Sequence, residues 1–565
     1  MTQPCLLPDT GLPVAAHVRV DGVSRSFPDR RVLTDVSFTV ASGEVTCLIG
    51  ENGSGKSTLL RIVGGYDVPD AGSVTAPGTV GLFHQEPPLA PDLSVEGVLA
   101  DATAPVRDLA RLVEVEGQAL ADGEPGAAAR LHAAIDAAER HHAWDLDHRV
   151  DLVVEGFGLA GLPRHRLVGE LSGGQVSRLS LAWLLLRSPD TLLLDEPTNH
   201  LDDRATQTLV ALLRGWSGPV LVASHDRAFL EEIGTNLVDL DPSPLPRAAV
   251  GNDHDSPGSG FGVTCFTGNY TAYLQHRREE RARWARRYRD EQAELRRLRT
   301  RVRDDHTVGH ADRAPRTETH ISKKFYADRN ARVVSRRVND ARTALERLER
   351  EQVRRPPARL RFRGLGRPGT PAAPSTGPVL TATGVAVAGR LSPTSLDLGG
   401  RDRLLVTGAN GSGKSTLLTV LAGLLAPDQG AVTRTAPLRV GLLGQEPLPR
   451  DPSRTVRETY AGAVGPELAE GTPLTAFGLV AGRDLDRPLG VLSVGQRRRL
   501  DLAVVLADPP DILLLDEPTN HLSLLLVSEL ELSLPDYPGA VVVASHDRWL
   551  REDWDGERLH LEGPA

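Results

Sequence analysis

The chain has 565 residues, more than one hydrophobic core can serve, so two to four domains are expected. It is 40% apolar and 25% charged with a formal net charge of −9, which excludes disordered and collagen-like classes. Three scattered cysteines, Cys5, Cys47 and Cys265, show no metal-ligand spacing and suggest a reducing compartment. The N-terminus lacks the basic-then-apolar signal pattern, and no apolar run approaches the roughly 20 residues of a membrane helix, so a cytoplasmic protein is expected.

Residues 1–15 read as a flexible lead-in to a first domain over 16–268. Val18–Val23 and Val36–Val40 read as strands, and Val45–Ile49 as a buried strand running into Gly50-Glu-Asn-Gly-Ser-Gly-Lys-Ser-Thr58. That is the phosphate-loop pattern GxxxxGK[ST] between a strand and a helix predicted over Thr58–Val63. Gly50, Gly53 and Gly55 let the backbone N–H groups, with Asn52 and Thr58 alongside, wrap a nucleotide's phosphates. Lys56 would reach the β/γ-phosphates and the Ser57 hydroxyl would bind Mg2+. Only four of 65 basic residues are lysine (Lys56, Lys323, Lys324, Lys414), and two of them stand in such loops, where a compact ammonium is needed. An Ala-rich helical stretch around Leu109–Arg140 forms an enlarged helical subdomain over about 90–168. The strand ending at Asp195 delivers a carboxylate to the Mg2+ shell, and Glu196 is the natural general base. The Pro/Gly/Asp/Ser-rich loop Asp241–Gly262 reads as a mobile insertion between two strands.

The segment 269–363 changes character. From Arg277 to Arg363 there are 28 Lys+Arg against 14 Asp+Glu, a local charge of +14 inside an acidic chain. Apolar residues at 3–4 spacing predict helices near Tyr270–Arg303 and Ser322–Val353, joined by a turn-rich tip over about 304–325. This reads as an antiparallel hairpin, either a polyanion-binding arm or a solvated coiled coil; its flanks favour the arm. A Pro/Gly-rich connector, 364–378, leads to a second domain over 379–565.

That domain repeats the first in order. Gly408-Ala-Asn-Gly-Ser-Gly-Lys-Ser-Thr416 supplies Gly408, Asn410, Gly411, Gly413, Lys414, Ser415 and Thr416. Gln445 matches Gln85, Leu492-Ser-Val-Gly-Gln496 matches Leu171-Ser-Gly-Gly-Gln175, and Asp516-Glu517 matches Asp195-Glu196, each within Leu-Leu-Leu-Asp-Glu-Pro-Thr-Asn-His-Leu. Ala544-Ser-His-Asp-Arg548 matches Ala223-Ser-His-Asp-Arg227. Ser-His-Asp would suggest a hydrolase triad, but its recurrence after a strand in both halves argues against one.

With these motifs the chain resembles an ATP-binding cassette ATPase with two cassettes in one polypeptide and no transmembrane domain. The Glu-Pro-Thr-Asn-His-Leu runs and the basic hairpin resemble the ABC-F family. The resemblance implies an α/β fold of two P-loop nucleotide-binding domains joined by an antiparallel α-helical hairpin. It implies ATP and Mg2+ as ligands, with Asp516 and Ser415 repeating the metal roles of Asp195 and Ser57. Gln85 and Gln445 would sense metal and water, and His225 and His546 would contact the γ-phosphate. Ser172, Gly173, Gly174 and Gln175 would meet the nucleotide of the opposite cassette, as would Ser493, Gly495 and Gln496, in a monomer whose two cassettes pair. The halves differ where Val494 replaces a signature glycine and where Ser523 stands in place of Asp202, a cross-interface carboxylate. Phe27 is either an adenine platform or an ordinary core or surface aromatic.

ABC-F members act on ribosomes, so the resemblance implies a ribosomal partner, with 23S rRNA and P-site tRNA near the hairpin. Arg277, Arg278, Arg281, Arg283, Arg286, Arg287 and Arg289 on the stem would contact RNA phosphates, as would Arg313, Arg316, Lys323 and Lys324 near the tip. The tip residues His306, His310 and His320 are either functional or simply exposed. Resemblance to actinomycete resistance proteins implies protection of translation from macrolide, lincosamide or streptogramin antibiotics. The alternatives are a housekeeping translation factor, the ATPase subunit of a drug exporter, or an ATPase acting on other nucleic acid.

Overall fold

The computed structural model describes residues 17–27, 30–50, 53–84, 89–199, 201–240, 262–304, 320–353, 356, 377–409, 411–435, 437–477, 479–480, 482–519, 522 and 524–563. The expected insertion loop, most of the hairpin tip and nearly all of the connector lie outside them. The chain divides into two compact units, one holding both nucleotide-binding halves and the other the basic hairpin.

The first half begins with β1 (His17–Phe27), β2 (Arg30–Ala41), β3 (Val45–Ile49), α1 (Lys56–Val63), β4 (Ala71–Thr75) and β5 (Val80–Phe83). A helical stretch follows: α2 (Val95–Ala121), α3 (Ala127–Arg140), α4 (Leu146–Gly156) and α5 (Gly173–Arg187). It closes with β6 (Thr191–Asp195), α6 (Asp203–Arg214), β7 (Val220–Ala223), α7 (Arg227–Ile233), β8 (Asn236–Asp239) and β9 (Thr264–Thr267). The main sheet runs β5-β6-β7-β3-β8-β9, parallel except for β9. A second, antiparallel sheet orders β2-β1-β4.

After the hairpin helices α8 (Tyr270–Asp304) and α9 (His320–Glu351), the pattern recurs. β10 (Pro378–Val387), β11 (Leu391–Gly399), β12 (Arg403–Gly408), α10 (Lys414–Ala422), β13 (Gln429–Arg434) and β14 (Val440–Leu443) come first. Then follow α11 (Val456–Val464), α12 (Pro466–Gly471), α13 (Val494–Ala507), β15 (Ile512–Asp516), α14 (Leu524–Ser533), β16 (Ala540–Ala544), α15 (Arg548–Glu552) and β17 (Glu557–Leu561). The sheet β14-β15-β16-β12-β17 is wholly parallel, beside an antiparallel β11-β10-β13.

The central strands are covered on both faces, which is why they read as unbroken apolar runs. In the second half Val406, Leu514 and Val542 pack with the antiparallel sheet and α10, while Leu405, Leu513 and Val541 pack with α11, α13 and α14. Leu48, Leu193 and Leu221 do the first of these jobs in the first half. Each phosphate loop leaves a strand flanked on both sides by parallel neighbours, so it emerges at the carboxyl edge of the sheet, where open α/β sheets bind ligands.

In the helical stretch of the first half α2 has 27 residues and α3 has 14, against 9 and 6 for α11 and α12. Ser94 starts α2 by accepting the Gly97 N–H, and α2, α3 and α4 share a small core of Val106, Ala138 and Leu146.

In the hairpin unit the helices run antiparallel. Val353 N–H donates to Glu291, Gln292 bonds Gln352 and Arg299 bonds Glu349. Leu295, Leu298, Val338 and Ala341 are buried along the seam, as the 3–4 spacing requires.

Candidate functional site

The two phosphate loops are built alike. Gly55 caps α1 in the left-handed region at φ 101°, and a Cβ there would lie 2.7 Å from Val32 and Leu33 side-chain carbons. Gly413 sits at φ 96°, where a Cβ would come within 2.4 Å of the Arg390 carbonyl. Only glycine meets both demands. Lys56 and Lys414 are buried to 7% exposure and fold back over their loops. Lys56 Nζ donates to the Gly50 carbonyl at 2.9 Å; Lys414 Nζ donates to Gly408 and Ala409 carbonyls at 2.9 and 3.1 Å. Each ammonium therefore hangs over a cradle shaped for an anion. Asn52 and Asn410 lie outside the described residues, while Ser57, Thr58, Ser415 and Thr416 open the helices behind the loops.

Asp195 and Asp516 end β6 and β15 beside these serines. Burial lifts both carboxyls above the ordinary range, partly offset by hydrogen bonds from Ser57 and Ser415. Asp516 Oδ1 is buried with no hydrogen-bond partner among the described residues. A hydroxyl next to an under-satisfied carboxylate oxygen is a hard-donor set that suits Mg2+, the other ligands being left to phosphate oxygens and water. Among the described residues no group of three or more His, Cys, Asp or Glu stands ready to hold a metal unaided.

Glu196 and Glu517 are held in the left-handed region, at φ 50° and 45°, a strained conformation for a non-glycine residue. Their N–H groups donate to Ala223 and Ala544 carbonyls, pinning each turn to the neighbouring strand end. The His225 N–H donates to Glu196 Oε2 at 3.1 Å, and the imidazole Nε2 stands 3.4 Å from the other oxygen. In the second half His546 Nδ1 lies 2.8 Å from Glu517 Oε1, and Ser545 Oγ contacts Oε2 at 3.4 Å. Burial pushes the Glu196 carboxyl up to about 8, against the pull of Lys56, while the Glu517 hydrogen bond raises the His546 imidazole. The sequence-predicted glutamate and histidine thus meet in both halves. Gln445 is exposed beyond β14, and Gln85 lies outside the described residues.

Ser172 and Ser493 begin the helices that follow. Each hydroxyl accepts the N–H of Gln175 or Gln496, whose side chain reaches back to the serine N–H in a reciprocal cap. Gly173, Gly174 and Gly495 occupy the first turns. Val494 is tolerated at the first helical position because its side chain points outward, 39% exposed. Phe27 is 44% exposed at the end of β1 with the Arg25 guanidinium 5.4 Å from its ring. Asp202 caps α6 through Ala205 N–H, and its neighbour Asp203 pairs with Arg551 of the other half at 3.1 Å. Ser523 lies outside the described residues.

What the motifs did not announce is how the halves join. Arg227, 1% exposed at the start of α7, donates to both Glu531 oxygens on α14 and to Asp547 at 2.7 Å, with Trp549 alongside. Arg548 returns the gesture to Glu232 at 3.2 Å. Both arginines close Ser-His-Asp-Arg repeats, so the two histidine turns abut through a charged cluster. The repeat itself was the available signal, since an arginine in that place has no phosphate to bind.

On the hairpin, Arg278, Arg283, Arg286, Arg287 and Arg289 are exposed and Arg277 and Arg281 half-buried. Arg277 pairs with Glu280 and Arg287 with Glu291 on the same helix, each at 2.9 Å or less. Arg313 and Arg316 lie outside the described residues, and of Lys323 and Lys324 only the helical backbone is described.

The family described as ABC transporter matches residues 33–199 and 391–520. The chain is 39% identical to the tylosin resistance ATP-binding protein TlrC of Streptomyces fradiae, over 97% of each chain. It is 30% identical to the energy-dependent translational throttle protein EttA of Mycobacterium tuberculosis, over 96% of this chain and 90% of that one. Among solved structures, the RNase-L inhibitor superposes with a TM-score of 0.54 at 19% identity, covering 96% of this chain and 88% of its own. An archaeal ribosome recycling factor, aABCE1, does so at 0.54 and 17%, with the same coverage. Both show the tandem-cassette fold. Among the described residues no helix is long and apolar enough to cross a membrane.

Proposed function

The chain belongs to the ABC ATPases, in the tandem ABC-F form, and from that premise we propose that it is a ribosome-associated ATPase protecting translation from an antibiotic. The carrying observation is the coexistence of two intact glutamate–histidine turns with a long hairpin of net charge +14. The first is machinery for hydrolysis and the second for a polyanion. Similarity over nearly the full length to a tylosin resistance protein and to a translational throttle protein supports a site of action in translation, and with it a cytoplasmic location.

In this reading the loop N–H groups and Lys56 or Lys414 hold the ATP phosphates, and Ser57 with Asp195, or Ser415 with Asp516, would hold Mg2+, which would neutralise phosphate charge. Glu196 and Glu517 orient the attacking water and take its proton, while His225 and His546 steady the carboxylates and face the γ-phosphate. Gln85 and Gln445 would sense the metal and the attacking water. The signature turns bring Ser493 and Gly495 to the nucleotide on Lys56, and Ser172 and Gly174 to that on Lys414. ATP closes the cassettes, which carry the hairpin toward 23S rRNA and P-site tRNA; hydrolysis releases it. The hairpin arginines bind phosphate without reading sequence.

The test is sedimentation of the Glu196→Gln, Glu517→Gln double variant with 70S ribosomes, with and without ATP. ATP-dependent pelleting, together with rescue of tylosin-inhibited translation by the wild-type chain, supports protection. Pelleting without rescue by any macrolide, lincosamide or streptogramin would favour a housekeeping translation factor, in line with the throttle relative. Failure to pellet would refute the ribosomal reading.

A further inference from the structure

The second cassette carries an internal strut that has no counterpart among the described residues of the first. Arg498, in the second turn of α13, is fully buried. Its guanidinium donates to the Asp516 and Glu517 backbone carbonyls, at 2.5 and 2.8 Å. Those two carbonyls flank the turn in which Glu517 is held at φ 45°. About one turn further along the helix, Asp501 is 5% exposed and accepts Arg450 at 2.7 Å and the Leu448 N–H at 3.0 Å. Leu448 and Arg450 belong to the segment that follows Gln445. A single helix is therefore bonded to the glutamine segment through Asp501 and to the hydrolysis turn through Arg498.

The first cassette is built differently. At the same spacing from Ser172 it has Ser177 and Ser180, and it has no Lys or Arg between Gln85 and Arg107. Its Glu196 turn has the same left-handed backbone, and among the described residues no guanidinium donates to the Asp195 or Glu196 carbonyl; Arg178 bonds the Gly174 carbonyl instead. A buried guanidinium is costly to desolvate, so its presence behind one turn and not the other calls for a role. A single guanidinium nitrogen, Nη2, donating to two successive carbonyls restrains the peptides on either side of the Glu517 Cα, and their orientation sets the direction of the Glu517 side chain.

We propose that Arg498 is a positioning residue for Glu517, fixing the Asp516–Glu517 peptide so that the carboxylate is aimed at the attacking water in the second site only. The inference rests on the ATPase reading above. It implies that the two sites reach their geometry by different means.

The test uses the full chain in a Glu196→Gln background, which leaves turnover to the second site. Arg498→Gln there is expected to lower kcat roughly 10–100-fold, the scale of a misaimed catalytic group, with KM for ATP within about twofold. Arg498→Lys, keeping charge and a donor but on a shorter, flexible stem that does not hold it at the Nη2 position, is expected to fall between. In a Glu517→Gln background, where the carboxylate to be aimed is absent, Arg498→Gln is expected to leave residual turnover unchanged. Equal kcat for Arg498→Gln and its parent would overturn the proposal, as would a loss in the Glu517→Gln background as large as in the other. If Arg498→Gln does not fold, an Arg498→Lys variant that folds with full kcat has the same refuting force. Should Glu517→Gln itself leave turnover of the otherwise native chain intact, the hydrolysis reading falls with the inference; a normal response to Glu517→Gln with none to Arg498 changes removes the inference alone.

Discussion

Replacing Arg227 by alanine removes the buried cation on which the cassette junction turns. The guanidinium is 1% exposed and serves two carboxylates, Glu531 and Asp547, whose side chains are 20% and 12% exposed. Without it, two carboxylates face each other in a cavity formerly filled by a large side chain. Breaking a buried pair from one side costs about 3–5 kcal/mol, because the remaining charge stays desolvated. Part of that loss is relieved if Glu531 takes up a proton, a response for which burial already primes it by raising its carboxyl. An expected loss of about 3 kcal/mol follows. The assay is a double-mutant cycle, Arg227→Ala and Glu531→Ala singly and together, read by urea unfolding of the full chain. The single changes should couple by about 1–3 kcal/mol, since neighbours in one charged cluster are not additive. Destabilisation by Arg227→Ala below about 1 kcal/mol, or additive behaviour of the pair, would refute the junction as described.

Three further outcomes are expected. Gly55→Ala drives a Cβ into Val32 and Leu33 at a left-handed position, so ATP binding at the first site should be lost, with destabilisation of about 1–3 kcal/mol; a fluorescent ATP analogue and thermal unfolding check this. Asp190 is opposed by burial but held down to about 2 by hydrogen bonds from His141 and Thr79. Its contribution, on the order of 1 kcal/mol after solvent screening, is present above its unfolded pKa near 3.8 and lost as pH falls toward 2; Asp190→Asn should flatten that part of the stability profile. Ser172→Ala removes a reciprocal cap and should cost about 1 kcal/mol, measurable by denaturation of the nucleotide-free chain. Ser172→Thr, which keeps the acceptor, should cost less.

Much of the fold was legible. The strands Val45–Ile49 and Ile512–Asp516 and the helices α8 and α9 follow from apolar runs and 3–4 spacing, because burial on two faces or on one stripe leaves those periods in the sequence. Glu196 and His225, 29 positions apart, could be paired in advance because both recur at equal spacing as Glu517 and His546. Asp202 was read as a cross-interface carboxylate; one of its oxygens caps α6, while the neighbouring Asp203 pairs with Arg551 of the other half. Adjacent acids cannot be told apart by pattern when a half-turn of helix decides which one caps and which one points outward.

The sequence by itself determined two phosphate loops, two acidic turns and a basic hairpin, since each is a local arrangement whose chemistry depends on residue type and spacing within a few turns of chain. Only the tertiary structure decided how the cassettes are joined and how the second is braced. Arg227 meets Glu531 across 304 positions, and Arg498 on α13 meets Asp516 and Glu517 at the end of β15. In the sequence these two are arginines among many in an arginine-rich chain. They become distinct only when folding removes water from around them and leaves each guanidinium dependent on the few oxygens within reach.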